Sequence, residues 1–195
     1  MSNDESLMLE FQRGSSQAFQ MLFEQYRAPL YAFFYRRLGS RERAEDLTQD
    51  TFVAVIRAAE RYEPLATVRT YFYSIASNLL LGERRKQARH SGGLEPGGEA
   101  SEELPEYLRD PDDALWVRQA LEKLEPLERE ILMLREYEQL SYAEIAEVLG
   151  VPVNTVRSRL FRSREALRSH LRPLEKTMDG SPRYGPREAN EMGHI

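Results

Sequence analysis

The strongest constraint on the fold of this chain is a short turn between two helix signals in its C-terminal half. Ser141 and Glu144 form a capping-box pattern, in which each residue satisfies a free backbone amide at a helix start. The helix that follows is short, because Gly150 favours the left-handed conformation that ends helices. Shortly afterwards, Asn154 and Thr155 predict the start of another helix. Two helices joined by a short glycine-containing turn predict a helix-turn-helix motif.

Two further helices precede this motif, and together the four predict a helical domain over residues 114–172. Asp113 is expected to cap the first helix, and Pro126 separates the first from the second. Apolar residues recur at helical spacing in all four segments, which predicts one shared core. The residues expected to face inward are Leu115, Ala120, Leu121, Leu124, Leu127, Ile131, Leu134, Ile145, Ala146, Leu149, Val156, Leu160, Leu167 and Leu171.

The outer face of the last helix is rich in arginine, and within that helix Glu165 alone opposes it. The arginines are Arg157, Arg159, Arg162, Arg164, Arg168 and Arg172. Guanidinium groups suit phosphates and guanine edges, so the pattern predicts a DNA-binding face. The alternative is a solvated basic face on an ordinary helical bundle.

The formal net charge of −5 comes from one segment rather than from the whole chain. Residues 91–113 hold eight acidic residues against one arginine, with four glycines and three prolines. Such a composition predicts a flexible linker, because it cannot bury enough apolar surface to fold. Two interpretations of this linker are open. It is a plain tether, or its negative charge also discourages non-specific binding of nucleic acid. It separates two predicted domains, residues 1–90 and 114–172, and residues 173–195 are predicted to be a disordered tail.

The first domain is also predicted to be helical, since no long stretch alternates apolar and polar residues, so the fold class is all-α. Pro29 predicts a bend or a new helix start. Gly39 and Ser40 predict the end of one helix and the cap of the next. That next helix is expected over residues 41–62, and a last helix begins near Thr67 and runs into a basic segment.

Three consecutive aromatic residues, Tyr71, Phe72 and Tyr73, cannot all face one helical core, so one or two are expected at the surface or in a groove. Asn78 and then a basic segment follow them, with Arg84, Arg85 and Lys86. Aromatic surfaces combined with positive charge suit single-stranded nucleic acid. The alternative is a tyrosine-rich core edge that precedes a basic helix end.

Three carboxylates, Glu45, Asp46 and Asp50, cluster on the outer side of the helix predicted over residues 41–62. No histidine lies near them in the sequence, which does not favour a metal site. A solvated face is the simplest interpretation. A polar docking face for a protein partner is the sharper alternative.

The residue inventory gives no sign of catalysis. The chain has no cysteine, which excludes disulfides, thiolate metal sites and cysteine nucleophiles. The three histidines, His90, His170 and His194, are scattered, and no phosphate-binding glycine loop is present, so no catalytic residue, metal or cofactor is predicted. No apolar run approaches the roughly 20 residues of a membrane helix. We therefore expect no membrane insertion and a cytoplasmic location.

As a set, these segments resemble the extracytoplasmic-function (ECF) group of bacterial RNA polymerase sigma factors. The resemblance covers residues 15–172. It rests on AEDLTQDTF at 44–52, YFYSIASN at 71–78, LSYAEIA at 140–146 and PVNTVRSRLFR at 152–162. Two helical domains on an acidic linker also match this group.

The resemblance implies three sets of site residues. The face that docks on the clamp helices of core RNA polymerase corresponds to Asp46, Gln49, Asp50 and Phe52. The surface that opens the minus-10 promoter element and holds its non-template strand corresponds to Tyr71, Phe72, Tyr73, Asn78, Arg84, Arg85 and Lys86. The recognition helix that reads duplex DNA at the minus-35 element corresponds to Asn154, Thr155, Arg157, Ser158, Phe161 and Arg162.

The implied function is that of a non-enzymatic sigma factor, which directs promoter recognition, DNA opening and transcription initiation. The implied partners are core RNA polymerase, promoter DNA and an anti-sigma factor, and no cofactor is implied. The alternative is a two-domain helix-turn-helix regulator that binds duplex operators without being a polymerase subunit. Both hypotheses assign duplex binding to the second domain. The run from Asp46 to Asp50 distinguishes them, because only the sigma-factor hypothesis gives this run a role, which is docking on core polymerase.

Overall fold

A computed structural model describes residues 3–90 and 111–178, and every regular element in these two ranges is helical, which confirms the all-α fold. The helices are α1 (Asn3–Gln12), α2 (Ser16–Leu38), α3 (Arg41–Ala58), α4 (Val68–His90), α5 (Pro111–Glu122), α6 (Pro126–Glu136), α7 (Tyr142–Leu149) and α8 (Val153–Met178). A 3₁₀ turn, Ala59–Arg61, follows α3. Among these helices, none combines the length and apolar character needed to cross a bilayer.

Helices α1 to α4 form the first domain, and the helix end predicted at Gly39 and the cap predicted at Ser40 are confirmed. The hydroxyl of Ser15 accepts a hydrogen bond from the Ala18 amide, and Gly39 ends α2 in the left-handed region at φ 67°. The hydroxyl of Ser40 then caps α3. Pro29, in contrast, lies inside α2 and does not start a new helix. Side chains buried on both sides of the proline hold the helix together, namely Leu22, Tyr26, Leu30, Phe33 and Phe34.

Helix α1 was not expected from the sequence, although it completes the core of the first domain. It packs against α2 and buries Leu7 and Met8. The hydroxyl of Tyr26 donates a hydrogen bond to Asp4 Oδ2 at 2.5 Å, which fixes the start of α1 on α2. The spacing of Leu7, Met8 and Phe11 is the signal that could have predicted this helix.

Helices α5 to α8 form the second domain, and its turn has the predicted geometry. Glu144 Oε2 accepts from the Ser141 amide at 2.8 Å, while the Ser141 hydroxyl accepts from the Glu144 amide at 3.2 Å, so both halves of the capping box are present. Gly150 ends α7 in the left-handed region at φ 64°. The most deeply buried apolar residues of this domain are Ile131, Leu134, Leu140, Ile145, Val156 and Leu160.

Two predicted boundaries of the second domain need correction. Helix α5 begins at Pro111, so Asp113 lies within its first turn and does not precede it. Proline is favoured there because its missing N–H would have no helical partner in any case. Helix α8 continues through Pro173 to Met178, into the segment predicted to be a tail. The rest of that tail, and residues 91–110 of the predicted linker, lie outside the described residues.

The two domains are in direct contact, which the sequence did not predict. Helix α4 of the first domain packs against α7 of the second. Ion pairs join the end of α2 to α6 and to the turn after it. This contact places the surfaces predicted for minus-10 recognition beside the helix-turn-helix motif.

Candidate nucleic-acid interface and docking faces

The turn after Gly150 presents the first half of α8 to solvent. The buried side chains of Val156 and Leu160 fix the inner face of this helix on the domain core. Phe161 lies on the opposite side and is 69% exposed. An exposed phenylalanine on a well-anchored helix is unfavourable in water, so this position is suited to an apolar contact with a partner.

The polar residues predicted on this helix surround Phe161. Arg157 and Ser158 are exposed, and Arg157 Nη1 donates to Asn154 Oδ1 at 3.2 Å. Thr155 is half-buried, and its backbone carbonyl accepts from the Ser158 hydroxyl at 3.1 Å. All of them lie in the first half of the helix, from which helix-turn-helix proteins contact base edges.

Some arginines of α8 are paired with carboxylates of the same domain and others are not. The prediction of one uniform basic face therefore needs correction. Arg159 is ion-paired with Glu125, and Arg164 Nη2 lies 2.7 Å from Glu136 Oε1. The hydrogen bond with Glu136 is the main cause that raises the pKa of Arg164. These carboxylates come from α6 and its start, so counting charges along α8 alone overstated the free positive charge. Arg157, in contrast, has no carboxylate partner among the described residues.

Arg162 is intermediate between these two groups. Its side chain is 58% exposed, and its Nε lies 3.5 Å from Glu128 Oε1. The same carboxylate lies 3.5 Å from Arg159 Nη1. An exposed pair of this length is weak, so the guanidinium of Arg162 remains available to DNA.

The three consecutive aromatic residues of α4 separate by exposure. Phe72 is fully buried and stacks on Tyr26 with the ring centroids 4.5 Å apart. Tyr73 is 2% exposed and faces the second domain. Tyr71 is half-buried and packs edge-to-face on Tyr62, with their centroids 5.3 Å apart. Of the three, Tyr71 is therefore the one that lines a surface groove, and Phe72 belongs to the core.

That groove lies between the loop after α3 and the first turns of α4. Its lining includes Tyr62, Leu65, Tyr71 and Ser74 from the first domain. Leu65 is 86% exposed, which leaves a large apolar side chain in water at the rim. Burial raises the pKa of both tyrosine hydroxyls above its ordinary value. Glu147 of α7 closes one side of the groove.

Asn78 and the basic end of α4 continue beyond the groove. Asn78 is exposed and lies two helical turns after Tyr71, on the same face of α4. Arg85 and Lys86 are exposed, whereas Arg84 is half-buried and its Nη1 lies 3.9 Å from Glu130 Oε2. Along one side of α4 there are therefore, in order, an aromatic ring, a side-chain amide and positively charged groups.

The outer face of α3 carries the predicted docking residues. Asp46, Gln49 and Asp50 are all exposed. Val53 and Ile56 continue the same face and are 40% and 47% exposed. These two apolar residues were missed by sequence reasoning, although their spacing from Gln49 places them on the same side of the helix. An acidic surface that borders exposed aliphatic side chains is suited to protein docking.

Phe52 does not belong to that outer face. It is 3% exposed and packs between Phe23 and Phe72, at centroid distances of 4.7 Å and 5.7 Å. A direct contact from this ring to a partner is therefore excluded in this conformation, and Phe52 supports the docking face from beneath. Its position follows from helix periodicity, because Phe52 lies four residues after Thr48 and three before Val55, and both of these are buried on the core side of α3.

Arg43 joins the docking face to α4. Its guanidinium pairs with Glu83, which is 4% exposed, and its Nη1 lies 3.5 Å from Asp46 Oδ2. The hydrogen bond from Arg43 is the main cause that holds the pKa of Glu83 below its usual value. Within the described residues, no group of three or more histidine, aspartate or glutamate side chains is arranged to hold a metal ion.

Comparisons with known proteins agree with this arrangement. Residues 22–90 match the family Sigma-70 region 2, and residues 114–167 match Sigma-70, region 4. RNA polymerase sigma-H factor of Pseudomonas aeruginosa is 33% identical over 184 residues, which cover 88% of this chain and 95% of the relative. ECF RNA polymerase sigma factor SigW of Bacillus subtilis is 30% identical over 177 residues, which cover 85% of this chain and 95% of the relative.

A solved structure is similar over the same extent. CnrH, in complex with the cytosolic domain of CnrY, matches with a TM-score of 0.66 and 25% identity, over 88% of this chain and 99% of that chain. The two family matches fall on the two helical domains, and the acidic segment separates them. The chain therefore belongs to the sigma-70 family and is an ECF RNA polymerase sigma factor.

Proposed function

We propose that the first half of α8 reads the minus-35 element as duplex DNA in the major groove. The observation that carries this proposal is Phe161, which is 69% exposed on a helix fixed by buried neighbours. Phenylalanine makes apolar contact with the methyl group of thymine, and an arginine such as Arg157 donates two of its N–H groups to guanine O6 and N7. Ser158 and Asn154 are placed to contact the neighbouring base edges or phosphates.

The first domain then holds the melted non-template strand of the minus-10 element. The groove at Tyr62 and Tyr71 receives an unstacked base, and Asn78 with the basic end of α4 follows the strand. Extruding a base costs a few kcal/mol, and stacking on an aromatic side chain returns roughly 1–3 kcal/mol. Capture of bases can therefore keep DNA open without hydrolysis, so the proposed role is not enzymatic.

Core RNA polymerase docks on the outer face of α3, through the acidic residues Asp46 and Asp50 and the aliphatic pair Val53 and Ile56. This role places the protein in the cytoplasm, with the polymerase. An anti-sigma factor is a further proposed partner, since the sigma factor RpoE of Bartonella quintana, which has a similar fold, forms a complex with the anti-sigma factor NepR.

Transcription by a reconstituted enzyme tests the proposal. Core RNA polymerase with this protein should initiate from a subset of promoters in a library, supplied with nucleotides and no other energy source. F161A should lose initiation at those promoters while it still binds core polymerase. A library that stays silent, with tight sequence-specific duplex binding by the chain alone, would favour instead a regulator that acts without polymerase.

A further inference from the structure

Helix α1 ends beside the loop that borders the proposed base groove, although the proposed function assigns this helix no role. It packs against the 3₁₀ turn Ala59–Arg61, which follows α3. Its last residue, Gln12, is half-buried. The Nε2 atom of Gln12 donates one hydrogen bond to the Glu60 carbonyl oxygen at 3.2 Å and another to the Tyr62 carbonyl oxygen at 3.1 Å. One side-chain amide therefore joins the end of α1 to the point where the loop begins.

The two carbonyl groups that Gln12 binds lie where the helical hydrogen-bond pattern after α3 stops. The last carbonyls of a helix have no partner within that helix, so other donors or water must satisfy them. The Tyr62 amide still donates to the Ala59 carbonyl oxygen at 3.1 Å, and at Tyr62 the backbone becomes extended. The bonds from Gln12 therefore fix the position from which the loop leaves the 3₁₀ turn.

The loop that starts at this point carries the rim of the groove. Leu65 lies three residues after Tyr62 and is the 86% exposed apolar side chain at that rim. The Tyr62 ring packs on Tyr71, the aromatic residue of α4 that lines the groove. Because Tyr62 carries both this ring and a carbonyl that Gln12 binds, a shift of its backbone moves the aromatic wall and the apolar rim together.

The hydroxyls of Tyr62 and Tyr71 indicate that this wall is suited to a ligand with polar edges. Both oxygen atoms are buried, and neither has a hydrogen-bond partner among the described residues. A buried hydroxyl without a partner is unfavourable, so a ligand that supplies one is favoured. An unstacked nucleobase offers a face for stacking and polar edges for such hydrogen bonds. Its fit depends on where the two tyrosines lie, and Gln12 holds one of them.

Gln12 is itself held firmly, as a positioning role requires. The preceding residue, Phe11, packs on Phe19 of α2 with the ring centroids 4.8 Å apart. The turn that follows is closed by the Ser15 amide, which donates to the Glu10 carbonyl oxygen at 3.0 Å. The end of α1 is therefore fixed on α2, and the position of α2 is transmitted through Gln12 to the loop.

We propose that Gln12 is a positioning residue for the minus-10 base groove, which holds the start of the loop so that Tyr62 and Leu65 keep their positions beside Tyr71. The inference rests on the proposed minus-10 role of the groove. Gln12 does not contact the DNA and acts through the carbonyl groups of Glu60 and Tyr62. Removal of its donors therefore weakens the capture of one base and leaves duplex binding by α8 unchanged.

Three variants separate hydrogen-bond donation from the shape of the side chain. Q12M keeps an unbranched side chain of similar length and donates no hydrogen bond. Q12K returns donors to the same place on a side chain one bond longer, so it should recover the original behaviour. Q20M is the matched control, because Gln20 is exposed on α2 and its Nε2 donates to Glu24 Oε1 within that helix at 3.0 Å.

The experiment measures how tightly core RNA polymerase with this protein binds a fork of promoter DNA, taken from a promoter at which the pair initiates. The fork is double-stranded through the minus-35 element and has only the non-template strand across the minus-10 element. One minus-10 base at a time is replaced by an abasic site. With the original chain, removal of the captured base should weaken binding most, by about tenfold, which is the order expected for one stacked base.

Q12M should weaken binding of the intact fork by about threefold to tenfold, since it loses part of the contribution of that one base. On the fork that lacks the captured base, Q12M should change binding by less than about twofold, because the groove has nothing left to hold. Its effect should persist on forks that lack other minus-10 bases. Q12K and Q20M should bind every fork as the original chain does, and Q12M should bind minus-35 duplex normally.

Three results would overturn the role of Gln12: no effect of Q12M, an equal loss on every fork including the one without the captured base, or no recovery in Q12K. If Q12M does not fold, Q12E gives the same comparison, because its carboxylate has the same shape and no donor. If no single abasic site weakens binding by the original chain, the minus-10 groove itself is contradicted. That result differs from a sensitive base position that Q12M leaves unchanged, which contradicts the role of Gln12 alone.

Discussion

The rings of Tyr26 in α2 and Phe72 in α4 stack in parallel, with centroids 4.5 Å apart and an interplanar angle of 2°. This pair joins the two long helices of the first domain at the level of the proposed base groove. Tyr71, the next residue toward the N-terminus, faces that groove. The stack therefore sets which aromatic side chain of α4 is available to DNA.

The first prediction concerns Phe72. F72A should lower the free energy of unfolding by about 3–5 kcal/mol, because the ring is fully buried and its removal leaves a cavity. Chemical denaturation of the original and variant chains measures the difference. F161A is the matched control, and it should change stability by less than about 0.5 kcal/mol, since that ring is exposed. A small effect of F72A would contradict the assignment of Phe72 to the core.

The second prediction separates the arginines of α8. R157A should weaken binding of the polymerase holoenzyme to minus-35 duplex by about 1–3 kcal/mol and relax specificity at one base pair. R164A should have a smaller effect, because Glu136 already neutralises that guanidinium. Competition with single-base promoter variants measures both quantities. Equal loss on every sequence would show that Arg157 contacts phosphate and not a base edge.

The third prediction concerns the docking face on α3. The double variant D46A/Q49A should abolish capture of core polymerase by the tagged protein, and I56S should weaken it, since all three side chains are exposed. None of these changes should lower thermal stability appreciably. E10A, an exposed acidic position on α1, is the control for loss of charge alone. Undiminished capture by D46A/Q49A would show that polymerase docks elsewhere.

The fourth prediction concerns alkaline pH. Burial, with smaller effects from the hydrogen bond and charge of Asp4, raises the pKa of Tyr26 above its ordinary value near 10. Burial likewise raises the pKa of Tyr73. The folded chain therefore keeps these phenol protons at a pH where the unfolded chain releases them. The stabilising contribution is complete below pH 10 and is lost as the pH rises above it.

Y26F tests this dependence, since it keeps the stacked ring and removes the titrating hydroxyl. The free energy of unfolding of the original chain should fall above pH 10 by up to about 1.4 kcal/mol per pH unit for each such tyrosine. The slope should be smaller by one such contribution in Y26F. Denaturation curves between pH 9 and pH 11 supply the measurement, and identical slopes would contradict the prediction.

Local features of the structure followed from the sequence. The caps at Ser40 and Ser141 and the helix end at Gly150 could be predicted, because each depends on a few neighbouring residues. The arginine pairing on α8 could not, because Glu125 and Arg159 are 34 residues apart and meet only when the helices pack. The same reason applies to the choice among Tyr71, Phe72 and Tyr73, since helix periodicity alone allows any of them to face inward.

The contact between the domains was the least predictable feature. Arg37 and Glu138 lie 101 residues apart, and the sequence contains 27 basic and 32 acidic residues from which many such pairs could be drawn. The sequence did contain one indication that Arg37 is buried. This residue follows the apolar run near the end of α2, and a side chain in that position packs against the core.

The two carboxylate oxygens of Glu144 have separate partners, and this has a consequence for the independence of the two domains. Oε2 holds the Ser141 amide inside the second domain, while Oε1 accepts from Thr67 and Thr70 across the boundary. Only Oε1 contacts the first domain, and the start of α7 is capped by Oε2 and the Ser141 hydroxyl. The capping of α7 therefore does not depend on the first domain, and the helix-turn-helix motif is complete within the second domain alone.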